Sequence, residues 1–100
     1  MNIIKSSYSL NQSYIVHESA FLDVIPKVIN EIKYVKLAND PRISFDEKNE
    51  NLEIFLDLKF KRNKDLDKLI KTVIEKMEQE TVNLIDFKPK NIQIKFNGYY

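Results

Sequence analysis

The chain has 100 residues, 43% of them hydrophobic and 31% charged, with a formal net charge of +1. That length and mix describe one globular domain with one core, residues 1–100, and the near-neutral balance excludes a general polyanion binder. With no cysteine and one histidine, disulfides, cysteine-based zinc sites and His-rich metal sites within one chain are excluded as well.

Met1 to Ser13 is polar and mixed, and reads as a partly loose segment with scope for an edge strand. Tyr14, Ile15 and Val16 are aromatic or β-branched and read as a short strand. A helix follows, with Leu22, Ile25, Val28, Ile29 and Ile32 at helical spacing. Pro26 sits awkwardly in it, since an interior proline loses a hydrogen bond and costs about 3 kcal/mol. Either the helix starts at Asp23, placing Pro26 in its first turn, or it starts near Ser19 and kinks. The first is favoured, with the helix ending near Tyr34 to Leu37.

Asn39-Asp40-Pro41 is a loop signal. Arg42 to Phe45 reads as a strand with Ile43 and Phe45 inward, and DEKNEN (46–51) as a hairpin connection. Leu52 to Phe60 is the organising stretch. Leu52, Ile54, Leu56, Leu58 and Phe60 alternate with Glu53, Phe55, Asp57 and Lys59. A period of two places the apolar set on one covered face and the others on a wet face. The two strands are expected to pair antiparallel.

Asn63 is the expected N-cap of a second helix, which carries Leu66, Leu69, Ile70, Val73, Ile74 and Met77 as its apolar stripe and runs to about Thr81. Asn91 to Phe96 alternates again, Ile92, Ile94 and Phe96 against Gln93 and Lys95. The order is β-α-β-β-α-β. This predicts an α+β two-layer sandwich, two helices on one face of a small mixed or antiparallel sheet, with a ferredoxin-like order as one solution.

Chemistry is sparse. One glycine, at 98, cannot build a phosphate-cradling loop. His17 is the one imidazole, and Ser19 two residues away points elsewhere, so no nucleophilic arrangement forms. Asp65 and Asp67 sit at a helix start, and Asp46, Glu47 and Glu50 in a polar turn, where capping and solvation account for them. No catalytic residue, cofactor site or metal site is expected, and the chain reads as a non-enzyme.

Two surfaces remain. Lys59, Lys61, Arg62 and Lys64 fall at one end of the central strand, and Lys88 and Lys90 precede the final strand. If those strands pair, the six converge on an anion or RNA contact, with Phe55 as a base-stacking aromatic; solvated lysines bracketing a strand are the alternative. Phe55, Tyr99 and Tyr100 together can form an exposed apolar patch for a protein partner, because the sheet has no third layer.

The pattern from residue 14 to 96 resembles the alkaline shock protein family of Gram-positive bacteria and their relatives. The alternating strand leads into a helix whose VIEKMEQET (Val73 to Thr81) resembles the family's helix with its Met-Thr-Gly-like end. Lys90-Asn91-Ile92-Gln93-Ile94 resembles the family's closing Val-Asn-Val-x-Val strand, and Tyr34-Val35 its Gly-Val exit from the first helix. The family's glycines are missing, with Lys36, Arg62 and Val82 near their places. The resemblance implies a non-enzymatic envelope-stress or housekeeping protein, working through a protein partner or as a homo-oligomer. A small RNA-binding module is the alternative. No apolar run approaches the roughly 20 residues a membrane span needs, and no signal peptide is read at the N-terminus. The expected place is the cytoplasm, with membrane contact through a partner alone.

Overall fold

The computed structural model describes the backbone of residues 5–46, 51–86 and 88–100, and the side chains of those from Glu18 on, Asn51 excepted. The elements are α1 (Lys5–Glu31), β1 (Val35–Leu37), β2 (Arg42–Asp46), β3 (Asn51–Phe60), α2 (Leu66–Ile85) and β4 (Asn91–Tyr99). The fold is α+β, two helices against a four-stranded mixed sheet.

The face assignment of β3 holds along its length. Leu52, Ile54, Leu56, Leu58 and Phe60 are all buried and form one core with Phe21, Ile25, Val28, Ile29 and Ile32 of α1 and Val73 and Met77 of α2. Both helices therefore lie on the same face of the sheet. Thr81 also turns into this core, and its hydroxyl donates to the Met77 carbonyl at 2.7 Å. That local bond satisfies the hydroxyl without a partner from another element.

The expected strand at Tyr14–Val16 is not formed: these residues lie inside α1, as do Lys5 to Ser13. Local β-propensity is a weak prior, and here it gives way to a continuous helix. Pro26 is interior to that helix rather than in its first turn. The stripe of Phe21, Ile25, Val28, Ile29 and Ile32 continues on both sides of the proline. Burying such side chains contributes about 1.5–3 kcal/mol each, which outweighs the roughly 3 kcal/mol cost of the proline. Leu22, whose carbonyl loses its partner to Pro26, is 39% exposed and not part of the core stripe expected of it. Water can serve that carbonyl.

The helix stops at Glu31, and the chain turns through Tyr34 at φ 73 into β1, a strand the sequence pattern did not show. A left-handed residue ends a helix sharply, and a non-glycine there costs about 1–2 kcal/mol. Val35 pairs with Phe60, and Leu37 with Leu58; Arg42 pairs with Phe55, and Asp46 with Asn51. Both partners are antiparallel to β3 and lie along the same side of it, because β4 occupies the other side from Glu53 to Phe60. β1 and β2 are thus one edge strand interrupted at Ala38–Pro41. The hairpin pairing expected of β2 and β3 is present; their connection, 47–50, lies outside the described residues.

At α2 the N-cap is Asp65, not Asn63. The Asp65 carboxylate accepts from the Lys68 backbone N–H at 3.2 Å, while Asn63 takes a left-handed turn at φ 62. The helix runs beyond Thr81 to Ile85 and closes on Asp86, whose N–H donates to the Val82 carbonyl. The crossover returns β4 parallel to β3, Ile54 opposite Ile92 and Leu56 opposite Ile94. β4 lies directly beside β3, which departs from a ferredoxin-like order.

Candidate interaction surface

The direction of β4 decides where the charges go. Because β4 runs parallel to β3, its start lies at the start of β3, and the Lys90 N–H donates to the Leu52 carbonyl at 2.8 Å. Lys88 and Lys90 therefore sit at one end of the sheet, and Lys59, Lys61, Arg62 and Lys64 at the other, roughly 25 Å away at the rise of a strand. The expected convergence of these six does not occur. Antiparallel pairing would have produced it.

A different basic set assembles at the far end. Lys36 pairs with Lys59 across β1 and β3 on the outer face. Tyr100 continues past β4, its N–H donating to the Phe60 carbonyl at 3.0 Å and its carbonyl accepting from the Arg62 N–H at 3.2 Å. The Lys36 ammonium lies 4.3 Å and the Lys61 ammonium 5.6 Å from the centre of the Tyr100 ring. Lys64 covers Tyr34 in the same way at 4.3 Å. Each such contact is worth about 0.5–1 kcal/mol at an exposed site. Arg62, Asn63, Lys64 and Tyr99 line a polar recess beside them.

The three aromatics expected to share a patch are not brought together. Phe55 is half-buried in the middle of the outer face, flanked by Arg42 and Gln93. Tyr99 lies on the helix side: a one-residue bulge between Leu58 and Phe60 sets it opposite Phe60. Gly98, at φ 103, supplies the conformation that the bulge needs. Tyr99 instead meets Phe96 edge to face at 5.0 Å, and Phe96 stacks on Phe60 at 6.0 Å. Phe96 is 48% and Tyr99 47% exposed. The alternation in the sequence had placed Phe96 inward. It does face the helix side, but at an edge that the helices leave uncovered.

The wet face of β3 carries one buried charge. Asp57 is only 5% exposed. Arg42 grips its carboxylate with two N–H groups, each at 3.2 Å, and the Asn39 amide donates a third bond at 3.0 Å. The Ala38 N–H also donates to the Asp57 carbonyl at 2.7 Å. Asp57 thus ties the interruption between β1 and β2 to the central strand. The Arg42 hydrogen bonds, then that of Asn39, hold the Asp57 carboxyl below its ordinary value of 3.8, and the same pairing raises Arg42. The chemistry is structural: among the described residues Asp57 is the one acid so perturbed, and its oxygens are committed to Arg42 and Asn39.

A depressed carboxyl stabilises the fold fully above its unfolded value, and the contribution is lost as pH falls through the lower folded value. Asp57→Asn should therefore be less stable than the parent at neutral pH. The gap between the two should narrow below 3.8, read from urea midpoints across an acid series. A gap independent of pH would show that the charge of Asp57 contributes nothing to stability.

Among the described residues, no group of three or more His, Cys, Asp or Glu is placed to hold a metal, and no helix is long and apolar enough to cross a membrane. The side chain of His17 lies outside the described residues. Comparison with protein-family models, with curated proteins and with solved structures gives no match.

Proposed function

We propose that the chain is a non-enzymatic interaction or scaffold protein of the alkaline-shock type, acting through protein partners or self-assembly. The observation that supports this most is the free edge of β4. Among the described residues, β4 pairs with β3 on one side, through Asn91 to Phe96 and again at Tyr99, and with no strand on the other. An unpaired edge is a template for a further strand, and Phe96 and Tyr99 stand half in solvent along it. The left-handed turns at Tyr34 and Asn63 also fall within two residues of Lys36 and Arg62, which lie near places where the family pattern carries glycine. A cytoplasmic position, with membrane contact through a partner, goes with this reading.

RNA binding is the second reading, and the Lys36, Lys59, Lys61 and Tyr100 grouping favours it. Sedimentation of the purified chain at low and physiological salt, with and without a single-stranded RNA, separates the two. The interaction reading expects self-association, or a stoichiometric complex with a protein partner, that survives physiological salt. A strict monomer with no protein partner would overturn it. Binding of RNA that weakens steeply with salt would move the assignment to the second reading.

A further inference from the structure

We infer that the partner for the β4 edge is a second copy of β4, running antiparallel across a two-fold axis at Ile94 and joining two sheets into one. This deepens the proposed function and rests on it. The two edges of the sheet are built differently. The β1/β2 edge is broken at Ala38–Pro41 and carries Lys36 and Arg42. A proline, a break and charges are the means by which an edge refuses another strand. The β4 edge has none of the first two before its bulge at Asn97–Gly98, and Lys95 is its one charged residue.

The occupant follows from the strand's own pattern. An isologous contact sets each residue against the one mirrored through the axis. Centred on Ile94, the helix-side row becomes Ile92 against Phe96, Ile94 against Ile94, and Phe96 against Ile92. The ring that the helices leave 48% exposed then meets a half-buried isoleucine of the second copy. On the outer row Gln93 faces Lys95 of the other copy. A register centred on Lys95 would instead oppose two lysines, which destabilises a cross-strand pair. The Ile94 register satisfies both rows at once.

The register makes a test that leaves the core untouched, since Gln93 and Lys95 are exposed. Gln93→Glu sets a carboxylate against each Lys95 and should tighten the dimer; Gln93→Lys should weaken it. Two such pairs form per dimer, so the shift in dissociation constant is roughly 2- to 30-fold in each direction, read by sedimentation equilibrium with circular dichroism as the check on folding. The chain has no cysteine, so a mixture of Gln93→Cys and Lys95→Cys chains should also form oxidised dimers faster than either alone. Equal effects of the two charge variants on a dimer that does form would overturn this register and leave the proposed function standing. A monomer that binds a different protein would overturn the inference alone; a monomer that binds no protein would overturn both.

Discussion

Replacing Leu56 by alanine should cost about 2–5 kcal/mol of stability, whereas Phe55→Ala, one residue along, should cost under half as much. The contrast arises from the pleat. Leu56 is completely buried beneath both helices, at the centre of the longest strand, where it pairs with Ile94. Its removal leaves a cavity in the core. Phe55 is larger and more apolar, yet it lies half-buried on the other face beside Arg42 and Gln93, and side chains there can relax into the space. Small domains are stable by about 5–15 kcal/mol, so the first variant should lose a large share of its folded margin. Urea unfolding of the two variants beside the parent measures the difference. Equal losses would mean that the two faces of β3 are not distinguished as described.

Phe60→Ala should be of similar or greater size, about 3–5 kcal/mol. Phe60 is the last core residue of β3, fully buried, with Phe96 stacked on it and Tyr99 edge-on to Phe96. The loss has two parts: the cavity under the helices, and the freeing of Phe96 at the open edge. Pairing it with Phe96→Ala in a double-mutant cycle isolates the second part, which should be about 0.5–1.5 kcal/mol for a stacked pair. A coupling of zero would mean that Phe96 is held by β4 alone and that its ring is free to turn toward whatever covers the edge.

The central strand was legible because its alternation is strict over nine residues, and no other secondary structure satisfies that pattern with one face wholly apolar. The second helix was legible for the equivalent reason at a period near 3.6, although Asp65 rather than Asn63 caps it. The first helix was misjudged from both sides. Tyr14-Ile15-Val16 has strand-like composition, and Pro26 reads as a boundary; neither local preference reports on the core that Phe21, Ile25 and Ile29 build around the proline. β1 was invisible because three residues carry too short a period to read. Hardest of all was the direction of β4. Alternation is the same for a strand read either way, so nothing in Asn91 to Tyr99 distinguishes parallel from antiparallel pairing. That single ambiguity misplaced Lys88 and Lys90 and hid the approach of Lys36 to Tyr100. Asp57 was placed correctly on the outer face, but its burial depends on Arg42 and Asn39 arriving from another strand and a loop.

The parallel pairing of β3 with β4 has a kinetic consequence. The β2–β3 hairpin joins neighbours in sequence and can close early, whereas β4 must wait for all of α2 to form and cross over. The rate of folding is then set by that crossover, and substitutions at Ile92 or Ile94 should slow the refolding limb of a chevron rather than chiefly hasten unfolding.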